Sequence, residues 1–136
     1  MSQVVYVDTS AVLRAVLERG LTPSVEQRIG GARFLITSRL ALVESARAFA
    51  RLRHDGVAES TLADAAREAD SIWARCAVWE LTPAVCDLAA TVSPRQPLRA
   101  LDALHLATFL LARRSFGDDV DLVTTDERLQ AAVRTA

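Results

Sequence analysis

Four acidic residues are distributed along the chain in contexts where their carboxylates could act together. They are Asp8 in VVYVDTS, Glu44 in SRLALVES, Asp102 in LRALDALHLA and Asp126 in DLVTTDERL. Carboxylate oxygens are the ligands that Mg²⁺ and Mn²⁺ prefer. A divalent cation held in this way can polarise a phosphate oxygen and ionise a water molecule. If the fold brings the four acids together, the sequence predicts a metal-dependent nuclease.

The sequence around the first and last acids predicts that they lie at one edge of a sheet. Asp8 and Asp126 follow short β-branched runs, and each leads directly into a helical pattern. In a parallel α/β sheet, the carboxyl ends of the strands and the helix starts that follow them share one edge, where such folds bind ligands. Carboxylates gathered there raise one another's pKa by repulsion, and a divalent cation removes that penalty.

Three of the acids also have an ordinary structural explanation, which the sequence leaves open. Asp8 and Asp126 stand where Asp commonly caps a helix. Glu44 lies three residues before Arg47, a spacing typical of a solvated ion pair on a helix surface. The prediction of a shared site therefore rests on the joint placement of the acids and not on any one of them.

Asp102 is the most informative acid, because the helix around it is apolar on nearly every side. An ionised carboxylate in a buried helix is costly unless it is paired or bound to a metal. A place in the first turn, where the helix dipole favours negative charge, is the alternative explanation. His105 and Thr108 follow on the same polar stripe. His105 is interpreted as a hydrogen-bonded helix histidine and not as a metal ligand, because no second histidine stands at ligand spacing.

Short apolar runs alternate with helical patterns, which predicts a mostly parallel sheet covered by helices on both faces. The predicted strands cover residues 3–7, 33–37, 77–81 and 121–124. Residues 8–10 supply caps for a first helix that runs through about residue 18, and a short helix runs from 23 to the glycine pair at 30–31. The other predicted helices cover residues 38–54, 58–76, 83–92, 99–114 and 126–134.

The composition predicts one folded domain over residues 1–136, because 51% of the residues are apolar and the net charge is only −1. Any contact with nucleic acid must then come from a local patch. All basic residues are arginine, so a mechanism that needs a catalytic lysine is excluded. Cys76 and Cys86 lack metal or redox spacing and are expected to be free thiols. Without a signal segment or a long apolar span, we expect a soluble, cytoplasmic protein.

Several of these motifs together resemble the PIN domain, and more closely the VapC toxins of bacterial toxin–antitoxin pairs. They are VVYVDTSAVL, a Glu within the helix after the second strand, LRALDALHLATFL and LVTTDERL. The resemblance spans nearly the whole chain, and the stretch from Leu98 to Ala107 is especially specific. It implies a PIN-like α/β fold with a sheet of four to five strands. Many relatives continue into a further short strand, for which the ending AAVRTA leaves little room.

The resemblance implies an endoribonuclease that uses Mg²⁺ or Mn²⁺ and is held by a cognate VapB-like antitoxin, usually as a homodimer. Asp8 and Asp102 would touch the metal directly, and Glu44 and Asp126 would act directly or through water. Ser10 and Thr124, which match small polar positions of the family, would position water or phosphate. The arginines that flank the acids are candidates for RNA contact: Arg14, Arg39, Arg47, Arg99 and Arg128.

Three other functions fit parts of the sequence. An Asp after the first strand is also the nucleophile of haloacid-dehalogenase-type phosphatases and of receiver domains. Both kinds of site also use a lysine, and this chain has none. The phosphatases in addition require a second Asp at the position that Ser10 occupies here. A non-catalytic module could use the acids only as helix caps and act by binding a partner. A PIN nuclease that acts on DNA or in RNA maturation would have no antitoxin.

Overall fold

The computed structural model describes residues 3–136, and its centre is a parallel β-sheet. The strands are β1 (Val4–Val7), β2 (Phe34–Ser38), β3 (Cys76–Trp79) and β4 (Asp121–Val123). Their order in the sheet is β3-β2-β1-β4, and every neighbouring pair is parallel. The prediction of a mostly parallel sheet is confirmed with four strands, and residues 3–136 contain no fifth.

Helices connect the strands and begin close to where the caps and prolines of the sequence predict. Their bounds are α1 (Thr9–Leu17), α2 (Pro23–Gly31), α3 (Arg39–His54), α4 (Glu59–Arg75), α5 (Pro83–Thr91), α6 (Ala100–Ser115) and α7 (Glu127–Arg134). Pro23 and Pro83 stand in the first turn of α2 and α5, where the missing N–H has no helical partner to lose. Because α1 and α3 begin within two residues of a strand's end, and α7 shortly after β4, their first turns lie at the same edge of the sheet.

The sheet separates two apolar cores, and successive residues of β1 point alternately into one and the other. Val5 and Val7 belong to the core formed with α1, α3 and α4. Tyr6 belongs to the core formed with α6 and α7, where it packs edge-on against Phe109. Because both faces of the strand are covered, β1 is apolar throughout, as is typical of a central parallel strand. Tyr6 therefore brings one hydroxyl group into the core beneath α6.

Cys76 and Cys86 are both free thiols, as predicted, and burial raises the pKa of Cys76 to about 11. Within residues 3–136, no helix has both the length and the apolar character that crossing a bilayer requires.

Candidate active site

Asp8 is the most buried of the four acids and lies where β1 ends, with only 4% of its surface exposed. Its Oδ1 accepts hydrogen bonds from the Ala11 N–H (3.0 Å) and the Ser10 hydroxyl (2.8 Å), and its Oδ2 accepts from the Thr124 hydroxyl (2.5 Å). Burial raises the pKa of Asp8, although these hydrogen bonds oppose the shift. Asp8 therefore caps α1 and also contributes a buried carboxylate to the edge of the sheet.

Thr124 connects Asp8 to Asp126 across the first and last thirds of the chain. Its hydroxyl donates to Asp8 and accepts the Asp126 N–H at 3.0 Å. It also lies 3.1 Å from the Ser10 hydroxyl, which accepts the Thr125 N–H at 3.0 Å. Asp126 Oδ1 in turn caps α7 by accepting two backbone N–H bonds, at 2.8 and 3.2 Å. Ser10 and Thr124 thus lie beside the first and last acids, as the sequence predicts, and their hydroxyls hold the Asp8 carboxylate.

Glu44 is bound by residues of other elements. Its Oε1 accepts from the Thr9 hydroxyl at 2.6 Å and lies 2.7 Å from His105 Nε2. Within residues 3–136, no ion pair joins Glu44 to Arg47, so the interpretation as a solvated helix pair is wrong. Burial alone would raise the pKa of Glu44, but the hydrogen bonds from His105 and Thr9 prevail and lower it. The carboxylate is therefore held in its charged form.

His105 is buried and hydrogen-bonded on both sides of its ring, which confirms its interpretation as a hydrogen-bonded helix histidine. Its Nδ1 lies 2.8 Å from the hydroxyl of Tyr6. Sequence reasoning assigned no role to Tyr6 and only cap chemistry to Thr9. The available signals were a hydroxyl within a buried strand of valines and a hydroxyl beside the first acid. Neither signal identifies a partner, because Thr9 and Glu44 are 35 residues apart and Tyr6 and His105 are 99.

Asp102 stands in the first turn of α6, half-buried, at the wall of an open cleft. The cleft measures about 410 Å³ and is lined by Arg99, Asp102, Asp126, Glu127 and Arg128. Burial raises the pKa of Asp102, and the negative charges of Asp126, Glu44 and Asp8 raise it further. The other three predicted acids therefore lie within electrostatic reach of Asp102.

The arginines predicted to contact RNA occupy different environments. Arg99 and Arg128 line the acidic cleft. Arg39 makes a two-pronged contact with Glu80, at 2.9 and 2.6 Å, and Arg14 is paired with Glu18 at 2.5 Å. Arg47 is exposed on α3. Only Arg99 and Arg128 among the five share a cleft with the acids.

The donor set suits a hard divalent cation, although its members do not form a closed cage. Across residues 3–136, no three His, Cys, Asp or Glu side chains form a group that could hold an ion as they stand. In that same part of the chain, no hydrogen bond or ion pair engages the Asp102 carboxylate, and Glu44 Oε2 and Asp126 Oδ2 likewise accept none. Oxygen ligands that are free and mutually repelling fit Mg²⁺ or Mn²⁺, because the cation would remove the repulsion.

Comparison by sequence finds relatives over almost the full length of the chain. The sequence model of the PIN domain matches residues 5–134. Ribonuclease VapC45 of Mycobacterium tuberculosis (strain CDC 1551 / Oshkosh) and Ribonuclease VapC49 of Mycobacterium tuberculosis (strain H37Rv) are each 33% identical to the chain over 135 residues. Each alignment covers 97% of this chain and 90% of the relative.

Comparison by structure finds the same fold at lower sequence identity. The crystal structure of PAE2754 from Pyrobaculum aerophilum superposes with a TM-score of 0.66 at 22% identity, covering 94% of this chain and 78% of that one. The crystal structure of Mycobacterium tuberculosis VapC20, described as a sarcin-ricin loop cleaving toxin, gives a TM-score of 0.60 at 17% identity and covers 94% of both chains.

Proposed function

The chain belongs to the PIN domain family, within its VapC group, and from that membership we propose that it is a divalent-metal-dependent endoribonuclease. The observation that supports this most is the convergence of four carboxylates at one sheet edge, where burial and then the charges of the other three acids raise the pKa of Asp102. Such an arrangement is unfavourable for a purely structural site. It is favourable for one that receives a cation.

In this proposal, Asp8, Glu44, Asp102 and Asp126 form the metal-binding and catalytic set. Asp8 and Asp102 would hold the cation directly, and Glu44 and Asp126 would hold it directly or through water. Bound Mg²⁺ or Mn²⁺ would polarise the phosphodiester and supply an ionised water. Thr124 and Ser10 fix the Asp8 carboxylate and lie close enough to the acids to orient a water or a phosphate oxygen.

We assign the first contact with RNA phosphates to Arg99 and Arg128. Both line the cleft that contains Asp102 and Asp126. A guanidinium binds a phosphate through two parallel N–H bonds, which fixes its orientation as well as its position. Because the chain has a net charge of only −1, affinity for a polyanion must come from local cations of this kind.

The biological role that goes with this activity is that of a toxin restrained by a cognate VapB-like antitoxin. The names of the relatives, both VapC ribonucleases, support this assignment. The match to residues 5–134 supports one PIN domain over residues 1–136. We further propose a homodimer that acts on RNA in the cytoplasm, where cellular RNA is made and translated.

The proposal is tested by incubating purified, antitoxin-free protein with total cellular RNA in Mn²⁺, in Mg²⁺ or in EDTA. We expect discrete fragments with either metal and none with EDTA. Asp8→Asn and Asp102→Asn should abolish the fragments, because each removes a ligand charge, and Asn in place of Asp8 still caps α1. Asp87→Asn, an exposed acid on α5, is the matched control and should cleave normally.

Two results would contradict the proposal, and a third would redirect it. Cleavage that survives in folded Asp102→Asn would remove the acidic cluster from the mechanism. A folded wild type that cleaves no RNA and binds no Mn²⁺ would instead favour the non-catalytic module that acts by binding a partner. Cleavage of DNA in preference to RNA would move the chain to a PIN nuclease outside the toxins.

A further inference from the structure

A buried line of hydrogen bonds runs from the central strand to one acid of the site. The Tyr6 hydroxyl on β1 lies 2.8 Å from His105 Nδ1 on α6, and His105 Nε2 lies 2.7 Å from Glu44 Oε1 on α3. Tyr6 is 0% exposed and His105 is 3% exposed. The line therefore connects three elements that are distant in sequence and ends at one carboxylate oxygen.

The chemistry of the groups fixes the direction of the bond between His105 and Glu44. A carboxylate can only accept hydrogen bonds, so His105 Nε2 must be protonated and its N–H donates a hydrogen bond to Glu44. A neutral imidazole then has an unprotonated Nδ1, which can only accept. A tyrosine hydroxyl is ordinarily protonated at neutral pH, so the Tyr6 O–H can donate a hydrogen bond to Nδ1 across 2.8 Å. In the neutral imidazole, the Tyr6 bond thereby selects the ring tautomer that Glu44 requires.

Both donors that reach Glu44 bind the same oxygen. The Thr9 hydroxyl, at 2.6 Å, and His105 Nε2, at 2.7 Å, each contact Oε1. Throughout residues 3–136, no hydrogen bond engages Oε2. The two oxygens of one carboxylate therefore have different environments, since one is anchored by the protein and the other retains its lone pairs.

We propose that His105, oriented by Tyr6, is a positioning residue that anchors Glu44 through Oε1 and thereby leaves Oε2 to a divalent cation or its bound water. This inference rests on the proposed function. A glutamate side chain is long and loses considerable rotamer freedom when it is fixed, and the charge of the neighbouring Asp102 repels it. The two hydrogen-bond donors on Oε1, from Thr9 and His105, oppose both effects.

A matched pair of substitutions at His105 separates positioning from packing. His105→Gln keeps an N–H donor near the place of Nε2, whereas His105→Met has similar length and no donor. For His105→Met we expect a ~10–100-fold loss in kcat and in Mn²⁺ affinity measured by calorimetry, with the KM for RNA unchanged. His105→Gln should regain most of both losses. Tyr6→Phe, which keeps the ring in the core, should shift both quantities in the same direction by a smaller factor.

A readout on the metal-free protein keeps this inference separate from the proposed function. The ¹⁵N spectrum of wild-type His105 should show a proton on Nε2, and the ¹³C signal of the Glu44 carboxylate should move in His105→Met but stay in place in His105→Gln. A folded His105→Met that keeps this ¹³C signal, or a His105→Gln that behaves like His105→Met, overturns the inference. If wild type shows these signals but neither binds Mn²⁺ nor cleaves RNA, the proposed function fails and the anchoring of Glu44 stands.

Discussion

At the scale of single residues, Asp8 and Asp102 have the same charge and opposite surroundings. Asp8 is almost fully buried but receives hydrogen bonds from two hydroxyls and one backbone N–H. Asp102 is more exposed, yet no hydrogen bond in residues 3–136 compensates its partial burial or the charges of three neighbouring acids. A charge held without donors makes the folded state less stable. Asp102 is therefore the residue at which function and stability are opposed.

The first prediction is that Asp102→Asn makes the metal-free protein more stable at pH 7. The pKa of Asp102 is raised in the folded state, because of burial and then the charge of Asp126. The contribution of this carboxyl to stability is therefore fully present below its unfolded pKa, about 3.9, and is lost as pH rises through the folded pKa. Removing the charge should raise Tm at pH 7 by about 2–4 °C in thermal unfolding.

The pH dependence supplies the control for this prediction. The difference between Asp102→Asn and wild type should shrink as pH falls through the raised folded pKa of Asp102 and should vanish below the unfolded value of about 3.9. Asp87→Asn, on exposed α5, should leave Tm unchanged at every pH. A lower Tm for Asp102→Asn at pH 7 would mean that the Asp102 charge stabilises the fold, which contradicts its assignment as a strained ligand.

At the scale of elements, the same side chains end a strand, start a helix and face the site. Asp8 lies between β1 and α1, and Asp126 lies between β4 and α7. Each caps its helix, so the cap and the ligand explanations are compatible in geometry and do not exclude one another. The unpaired N–H groups of a helix start favour negative charge. This helps to explain why acids can be gathered at this edge in the absence of a cation.

The second prediction separates the two roles of Asp126. Asp126→Asn keeps an acceptor for the Arg128 and Leu129 N–H groups, whereas Asp126→Ala removes it. In urea unfolding, we expect Asp126→Ala to lose about 1 kcal/mol and Asp126→Asn a few tenths at most. Both variants should cleave RNA poorly, because both lack the charge. Equal stability of the two variants would show that the cap contributes nothing, and full activity of Asp126→Asn would remove this carboxylate from the metal site.

At the scale of the whole molecule, the site exists only when the sheet and its surrounding helices are assembled. The contact between Thr124 and Asp8 closes a separation of 116 residues, and that between His105 and Glu44 closes one of 61. An unfolded chain cannot hold these carboxylates together. A cation that binds the assembled acids therefore binds the folded state only, and folding and metal affinity are coupled.

The third prediction follows from this coupling. Titration with Mn²⁺ should raise Tm, and at a concentration roughly 100 times Kd the gain in unfolding free energy is about 2.7 kcal/mol. Excess EDTA should reverse the shift, and Asp87→Asn should retain it. In Asp102→Asn we expect little or no shift, because a direct ligand is missing. A shift of equal size in Asp102→Asn and wild type would place the bound Mn²⁺ outside the acidic cluster.

The order of the elements and the edge that holds the acids could be predicted from the sequence, because these depend on local patterns. β-Branched runs, helix caps and prolines fix where strands and helices begin, and most observed bounds lie within a residue or two of the predicted ones. The third strand covers Cys76–Trp79 instead of 77–81, because its bounds depend on pairing with β2. That pairing joins Leu35 to Cys76, a relation that no local pattern contains.

The sequence by itself therefore determined the elements, the parallel sheet and the placement of Asp8 and Asp126 at its edge. Tertiary structure alone decided which groups the four acids contact. It paired Glu44 with His105 and Thr9 and not with Arg47, connected His105 to Tyr6, and placed Arg99 and Arg128, but not Arg14 or Arg39, in the cleft. The physical reason is that periodicity and capping act over a few residues, whereas a side chain's partner depends on how distant elements pack and on which donors that packing leaves within reach.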